Sequence, residues 1–280
     1  MINMKIKLRP LLAKVLIYIL LIDISLIMLI PFAWMLTSSF KMNKDVFTYP
    51  VVWWPKEFIT SNYVRIWEEI PLLRYFFNTS KLTVLITILQ LLTSTFAAYA
   101  FAKMKFPGKD FLFLSYICTI AMPWQSYMIP QFIIIKKMGL VNTHLALIIL
   151  QSFTAFGVFL VRQFYMEIPN EICEAARIDG MSEYGIYAKI MLPLSKPVIA
   201  TLTIFSFTTI WNDFMGPLIY INSQNLKTIQ LGLRSFITEY SSEYSLIMAG
   251  SVVALIPVLI VFACLQKYFV EGIASTGLKG

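Results

Sequence analysis

The chain has 280 residues, of which 58% are hydrophobic and only 14% are charged. Soluble domains are roughly 45–50% apolar and about 25% charged, so this composition excludes an ordinary soluble protein. The net charge of +8 does not indicate a nucleic-acid-binding protein, because Lys and Arg lie at the ends of apolar segments and not along one face. We therefore expect an all-α polytopic membrane protein.

Six segments are apolar over the length of about 20 residues that a membrane-spanning helix needs. In chain order they are residues 11–36, 76–102, 111–135, 142–164, 198–221 and 246–268. The first is too long for the apolar part of a cleaved signal peptide and is expected to be a span. Pro123 and Pro130 in the third segment and Pro257 in the sixth remove backbone donors, so each predicts a kink.

The distribution of basic residues predicts the orientation of the six spans. With the N-terminus in the cytoplasm, the inner segments carry 13 Lys and Arg and the outer segments carry 9. Because cytoplasmic loops retain positive charge, we expect both termini on the cytoplasmic side of the plasma membrane. Residues 37–75 then form the longest outer loop.

A polar segment, residues 165–197, interrupts the apolar pattern between the fourth and fifth predicted spans. Asn170 is a suitable N-cap for a first short helix, and Gly180 is expected at its C′ position with a positive φ. Ser182 is expected to cap a second short helix that runs to about Met191, and Pro193 and Pro197 are expected to end it and lead into the fifth span. Acidic residues outnumber basic ones here, which favours a protein partner over a lipid surface, since surface helices on membranes are usually basic.

Catalytic and metal-binding patterns are weak in this sequence. The three cysteines are isolated, and His144 is the one histidine, which leaves little material for a disulfide framework, a histidine metal site or a catalytic triad. The sequence also lacks the G-x-x-x-x-G-K-[ST] loop that holds nucleotide phosphates. The chain therefore cannot hold ATP in that way.

The segment 165–197 resembles the Glu-Ala-Ala loop of the permease subunits of ATP-binding-cassette (ABC) importers. That pattern has Glu-Ala-Ala, three residues, Gly, nine residues and then Ile-x-Leu-Pro. The matching residues here are Glu174, Ala175, Ala176, Gly180, Ile190, Leu192 and Pro193. Further matches to the carbohydrate-uptake branch, of the maltose-type second permease subunit, are Asn78-Thr79-Ser80, Ala98-Tyr99-Ala100, Met122-Pro123, Trp211-Asn212-Asp213, Leu255-Ile256-Pro257 and Gly277-Leu278-Lys279-Gly280. Asn-Ser-Leu is common in the family where this chain has Asn78-Thr79-Ser80.

The resemblance implies a type I ABC importer with a second, different permease subunit, two ATP-binding subunits and an extracellular sugar-binding protein. ATP and Mg would reside on the ATP-binding subunits, and no cofactor, metal or nucleic acid would be bound by this chain. Residues 1–75 would form the N-terminal cytoplasmic segment, first span and outer loop. Residues 76–280 would form the permease domain. The loop 165–197 would couple to the ATPase through Glu174, Ala175, Ala176, Arg177, Asp179, Gly180, Ile190, Leu192 and Pro193.

Two carboxylates, Asp23 and Asp213, fall inside predicted spans, where charge is costly and usually faces a cavity or a partner. Trp211, Asn212 and Asp213 offer an aromatic face and hydrogen-bonding groups to a sugar pathway. Consecutive helical residues differ by about 100°, so the three cannot all face one sugar. In the alternative, Asp213 accepts hydrogen bonds within the bundle and shapes the bend before Gly216. Asp23 has no evident partner in the sequence.

Two other functions are weighed against a sugar permease. One is an importer permease for another solute, such as an amino acid, which the Trp-Asn-Asp motif and the long outer segment disfavour. The other is a polytopic membrane enzyme, which the absence of histidine clusters and paired carboxylates disfavours.

Overall fold

The structure is a computed structural model. It describes the backbone of residues 2–237 and 242–277, and the side chains of residues 11–237 and 242–268. Leu278, Lys279 and Gly280 of the C-terminal motif lie outside the described residues.

Helices are the regular secondary structure of the described residues, which contain one isolated bridge, between Ile237 and Ser242, and no longer strand. The all-α prediction is therefore confirmed. The helices are α1 Ile2–Ser38, α2 Asn62–Glu68, α3 Leu72–Lys103, α4 Lys109–Cys118, α5 Met128–Lys137, α6 His144–Gln151, α7 Ala155–Glu167, α8 Asn170–Ile178, α9 Glu183–Ile186, α10 Leu192–Leu194, α11 Lys196–Trp211, α12 Met215–Tyr220, α13 Ile229–Leu233 and α14 Tyr244–Gly277.

Four stretches of the described chain are long and apolar enough to cross a membrane as helices. They are Leu11–Ser38, Leu72–Lys103, His144–Glu167 and Tyr244–Tyr268, and they coincide with the first, second, fourth and sixth predicted spans. Two further helical segments, Glu183–Leu194 and Lys196–Trp211, meet at an angle of 78°. If they are counted together as one bent span, the number of candidate spans is five. The predicted number of six spans is therefore not confirmed helix by helix.

The third predicted span, residues 111–135, is not one continuous helix. It consists of α4 and α5, each of ten residues, separated by the short 3-10 turns Thr119–Ala121 and Trp124–Ser126. The break contains Pro123 in an extended conformation. Proline cannot donate the hydrogen bond that would continue the helix, which accounts for an interruption at this position. Pro130 causes no break, since it lies in the first turn of α5, where backbone donors have no intrahelical partner.

The described residues separate into two compact units. The first comprises Met1–Ile70 and Leu233–Val253, and the second comprises Pro71–Gly232 and Ala254–Gly280. In the first unit, the buried Asn62 amide donates to the carbonyl oxygens of Ser39 and Lys41, each at 2.9 Å. These bonds hold the turn that follows α1.

Helix α1 exposes its apolar length within the first unit, since no residue in the most apolar part of Leu11–Ser38 is buried. Asp23 is exposed on this helix and has no hydrogen-bonding or ionic partner among the described residues. The exposed apolar surface is suited to contact with lipid or with another membrane subunit.

Helix α3 is the central element of the second unit and packs against α6, α7 and α11. Its approach to α7 is close at Gly157, where an added Cβ would lie 2.5 Å from the Ser94 hydroxyl oxygen. Small residues therefore bring these two helices together, as they commonly do in membrane bundles.

Candidate coupling loop and membrane cavity

The first helix of the polar loop, α8, ends in a well-formed Schellman motif. The Gly180 N–H donates to the Arg177 carbonyl oxygen at 3.0 Å, and the Met181 N–H donates to the Ala176 carbonyl oxygen at 2.9 Å. Gly180 has a φ of +80°, which confirms the predicted positive φ at C′. No atom lies within 4 Å of where its Cβ would be, so the need for glycine comes from the backbone and not from crowding.

The predicted N-cap role of Asn170 is wrong. Asn170 is the first helical residue, Pro169 occupies the cap position, and no side chain caps α8. The Asn170 Oδ1 atom instead accepts a hydrogen bond of 2.8 Å from Lys103 Nζ. A long-range contact therefore uses the oxygen that the local pattern assigned to capping.

The second half of the loop turns in two steps. Ser182 caps α9 as predicted, because its hydroxyl oxygen accepts from the Gly185 N–H at 3.3 Å. The chain continues as a π-helical segment, Tyr187–Met191, which contains Ile190. The predicted end near Met191 is too early, because Pro193 lies in the first turn of α10 with Leu192 and does not stop the helix. The sharp bend comes at Ser195, before Pro197.

The inner face of the loop is buried against the bundle. Cys173 and Ala176 of α8, and Ile186 and Met191 further on, are buried. They form one apolar group, here called the loop cluster, with Ala98, Tyr99, Val161, Tyr165, Val198 and Leu202. Burial raises the pKa of the Cys173 thiol above its ordinary value, which makes this thiol a poor nucleophile at neutral pH.

The outer face of α8 remains open. Ile178 is 86% exposed, and Glu174, Ala175 and Asp179 are exposed as well. Within the described residues Glu174 forms no ion pair. An exposed isoleucine at the end of a short helix is suited to insertion into a pocket on another protein.

Arg177 pairs with Glu183, six residues further along the chain, and not with Glu174, which lies three residues before it on α8. Its Nε and Nη2 atoms donate to the two carboxylate oxygens of Glu183 at 2.6 and 3.3 Å. The hydrogen bond to Glu183 raises the pKa of the Arg177 guanidinium. The pair joins the last turn of α8 to the first turn of α9 across the reversal at Gly180.

A cavity of about 490 Å³ opens beside α8. Basic side chains line much of it, together with the carboxylates of Glu174 and Glu183; the basic residues are Lys103, Lys105, Lys109 and Arg177. The cavity is therefore mixed in charge, and it borders α8 at Asn170, Cys173, Glu174 and Arg177.

The structure separates the three residues of the Trp-Asn-Asp motif. Trp211 is buried, donates from Nε1 to the Ala254 carbonyl oxygen at 2.9 Å and stacks on Phe207. Asn212 is exposed, and its Oδ1 accepts from Gln230 Nε2 at 3.1 Å. Because α11 ends at Trp211, the three residues leave helical geometry at the motif.

Asp213 connects two helices. Its Oδ1 accepts from the Gly216 N–H at 3.0 Å, at the start of α12, and its Oδ2 accepts from Gln151 Nε2 at 2.7 Å, at the end of α6. These bonds agree with the alternative in which Asp213 shapes the bend before Gly216.

Asp213 also lines a cavity of about 310 Å³ between helices of the second unit. Neither Trp211 nor Asn212 is among its lining residues. The lining is rich in hydrogen-bonding side chains; it includes Gln90, Trp124, Tyr127, Gln131, Gln151, Thr154, Thr209 and Tyr220. Gln131 Oε1 accepts two hydrogen bonds, one from the Trp124 indole at 2.9 Å and one from the Tyr220 hydroxyl at 3.1 Å.

The three cavity glutamines were missed by sequence reasoning. Gln90, Gln131 and Gln151 each fall inside a predicted span. Polar side chains at membrane depth usually face the bundle interior or a cavity, so their position in apolar segments was the available signal.

Comparison with known proteins identifies the family. Residues 90–275 match the sequence model of a protein family described as the binding-protein-dependent transport system inner membrane component. The chain belongs to this family. The permease is thus a multi-pass membrane subunit of a transport system and not an enzyme.

Similar proteins support this assignment over nearly the whole chain. The permease is 34% identical to an arabinooligosaccharides transport system permease protein of Halalkalibacterium halodurans, over 92% of this chain and 93% of the relative. It is 32% identical to a melibiose/raffinose/stachyose import permease protein of Bacillus subtilis, over 90% of this chain and 91% of the relative. An osmoprotective compounds uptake permease protein of Synechocystis sp. is 31% identical, over 95% of this chain and 92% of the relative.

The fold also matches a solved structure. The permease superposes on a chain of a bacterial ABC transporter involved in the import of the acidic polysaccharide alginate, with a TM-score of 0.79. The sequence identity is 25%, and 91% of this chain and 96% of that chain are covered.

No group of three or more His, Cys, Asp or Glu side chains in the described part of the chain is placed to hold a metal ion.

Proposed function

We propose that the permease carries a sugar or oligosaccharide across the plasma membrane, driven by ATP hydrolysis on separate subunits. The observation that carries the substrate class is the polar lining of the cavity around Asp213. Sugar hydroxyls donate and accept hydrogen bonds, as glutamine amides do, and aromatic rings pack against the apolar faces of sugars. A volume of about 310 Å³ is at the lower end of the range for small-molecule sites, about 300–1,000 Å³. Two relatives named for oligosaccharide import, and a structural neighbour involved in polysaccharide import, support the same class.

In this proposal the loop 165–197 lies in the cytoplasm, with both termini, and docks on the ATP-binding subunit. The exposed face of α8 makes the contact through Ile178, Glu174 and Ala175, while Ala176 anchors the helix to the bundle. Arg177, Asp179 and Gly180 set the reversal, and Ile190, Leu192 and Pro193 lead back to α11. ATP and Mg belong to the partner subunits.

The remaining partners follow from the kind of system. A second permease subunit, lipid, or both would cover the exposed apolar length of α1. An extracellular solute-binding protein would deliver the sugar to the side opposite the loop.

The test of substrate class is uptake of a panel of labelled solutes by cells with and without this chain. Oligosaccharides, monosaccharides, osmoprotectants and an amino acid should be included, because one relative is named for osmoprotective compounds. Uptake of a carbohydrate that depends on this chain supports the proposal. Dependence for the amino acid or a non-sugar osmoprotectant alone would contradict it.

Substitution of Asp213 separates a role in the pathway from a role in the fold. Asp213→Asn keeps an acceptor for the Gly216 N–H, whereas Asp213→Ala removes both hydrogen bonds and should lower the stability of the assembled complex by about 1–3 kcal/mol. If Asp213 contacts the sugar, Asp213→Asn should reduce uptake while the complex assembles normally. Normal uptake and normal stability in both variants would contradict both roles.

A further inference from the structure

Two side chains at one end of α3 face the polar loop. Tyr99 and Lys103 are four residues apart, so they project from the same side of the helix. Both are largely buried, with exposed fractions of 3% and 9%. A lysine is seldom buried unless its ammonium group has partners, and Lys103 has two in the loop.

The contacts of Lys103 lie at the beginning of α8. Its Nζ donates to the Ile168 carbonyl oxygen at 2.5 Å and to Asn170 Oδ1 at 2.8 Å. These partners flank Pro169, the residue that leads into α8. Lys103 therefore fixes where α8 starts.

The contact of Tyr99 lies just beyond the other end of α8, on Glu183, the first residue of α9. Its hydroxyl donates to Glu183 Oε2 at 2.5 Å, and both oxygens of Glu183 also accept from Arg177 in the last turn of α8. Glu183 is therefore a junction between α3, α8 and α9. The inner face of α8 lies between these contacts and packs in the loop cluster through Cys173 and Ala176.

The polar contacts add direction to this packing. Apolar packing in the loop cluster favours burial but is not directional. Hydrogen bonds that involve a charged group are shorter and stronger than neutral ones and depend on the position of both partners. Any displacement of α8 along or away from α3 must stretch the contact at one end or at both.

We propose that Tyr99 and Lys103 are positioning residues that clamp the two ends of α8, so that α3 receives the movement of the coupling loop. The proposal rests on the proposed function, in which an ATPase moves α8. Because α3 packs against α6, α7 and α11, movement of α3 reaches the other helices of the second unit and the helices that line the Asp213 cavity.

The clamp can be tested without transport, by the reactivity of Cys173. Cys173 lies on the inner face of α8, at the edge of the cavity beside that helix, and is 1% exposed, while Cys118 and Cys264 are exposed. With Cys118→Ser and Cys264→Ser, Cys173 is the remaining thiol of this chain, and its maleimide labelling in the assembled complex reports the lifting of α8. Tyr99→Phe should raise the labelling rate on the order of tenfold, as expected for loss of a hydrogen bond to a charged group.

Tyr184→Phe is the matched control. Tyr184 lies in the same loop, stacks on Phe96 and forms no hydrogen bond through its hydroxyl among the described residues. The labelling rate of Cys173 in Tyr184→Phe should equal the rate in the parent. Equal labelling in Tyr99→Phe, Lys103→Met and the parent would overturn the proposal.

A double substitution protects the test against general loosening of the fold. If Tyr99 and Glu183 act as one contact, Tyr99→Phe with Glu183→Gln should label little faster than the faster single variant. Additive effects would show that the two residues act separately and would contradict the clamp.

Coupling supplies the functional readout. In Tyr99→Phe, the co-purified ATPase subunit and the ATPase rate should stay near parent values, while the solute moved per ATP hydrolysed falls several-fold. A parent complex that moves no sugar would refute the proposed function, whereas the labelling experiment would still decide the clamp. If the parent complex transports sugar and Tyr99→Phe moves as much solute per ATP hydrolysed as the parent does, the clamp is refuted and the proposed function stands.

Discussion

The two ends of α3 hold neighbouring segments in different ways. At the loop end, Tyr99 and Lys103 contact α8 and α9, and the side chains of Glu183 and Asn170 are among their partners. At the far end, Asn78 Nδ2 donates to the carbonyl oxygens of Asn225 and Lys227, each at 2.9 Å. The Thr79 hydroxyl there accepts from the Ile229 N–H, also at 2.9 Å.

The difference lies in the partner atoms. The far-end contacts of Asn78 and Thr79 all reach backbone atoms, so they fix the path of residues 225–229 whatever side chains that segment carries. The loop-end contacts include a carboxylate that an arginine shares. The far end is therefore suited to a fixed anchor, and the loop end to a contact that transmits movement.

The largest expected effect comes from breaking the reversal at the loop end. Gly180→Val places a β-branched residue at a φ of +80°, which costs roughly 1–2 kcal/mol and redirects α9 relative to α8. That free energy corresponds to a factor of about 5–30 in an equilibrium. We expect uptake to fall by a similar factor while the amount of chain in the membrane is unchanged, with uptake, ATPase rate and co-purified ATPase subunit measured on the same membranes.

Gly139→Val is the control for this substitution. Gly139 has a φ of +70° and, like Gly180, has no atom within 4 Å of its Cβ position, but it lies between α5 and α6, away from the loop. Its backbone strain is comparable. If Gly139→Val and Gly180→Val reduce uptake equally, the effect is one of general stability and the loop has no special role.

A smaller effect is expected at the far end. Asn78→Ala removes two hydrogen bonds of about 1 kcal/mol each, so the assembled complex should lose about 1–2 kcal/mol of stability. Labelling of Cys173 should stay at the parent rate, because the loop-end contacts are intact. Thermal unfolding of the purified complex measures the loss of stability.

Ser80→Ala serves as the control at the far end, since the Ser80 side chain forms no hydrogen bond among the described residues. A rise in Cys173 labelling in Asn78→Ala would show that the two ends of α3 are not independent and would remove the distinction between anchor and transmitter.

The smallest effect is expected from the geometry of the exposed ion pair. Arg177 and Glu183 are 36% and 37% exposed, so their pairing contributes only about 0.2–1 kcal/mol. Arg177→Lys keeps the charge but loses the two-pronged contact, and we expect Cys173 labelling to rise by no more than about fivefold. The rise should shrink at high salt, where exposed pairs are screened. Loss of transport as complete as in Gly180→Val would show that Arg177 has a partner outside this chain.

Local patterns in the loop were predictable because they depend on neighbours in the chain. The stop at Gly180 and the cap at Ser182 are produced by backbone geometry within a few residues. The positions of α8 and α9 follow from these signals. The predicted cap at Asn170 failed because Lys103, 67 residues earlier in the chain, takes its side-chain oxygen.

The membrane segments were predictable to a similar extent. Apolar length identified the first, second, fourth and sixth spans, since a bilayer selects segments by length and hydrophobicity. It did not reveal that residues 111–135 divide into α4 and α5, because hydropathy does not sense backbone geometry. Met122-Pro123 was the local sign of that break, but whether a proline kinks or interrupts a helix depends on what satisfies the freed carbonyl groups.

The sequence alone therefore determined the class of protein, its family resemblance, most of its membrane segments and the shape of the polar loop. These depend on composition, on apolar length and on contacts within one or two turns. Only the tertiary structure placed Trp211 in the packed interior, Asp213 at a cavity with three glutamines, and Tyr99 against Glu183. The physical reason is that hydrogen bonds between residues 60 to 90 positions apart depend on how α3, α6, α9 and α12 pack, and no local pattern encodes which polar side chains that packing brings together.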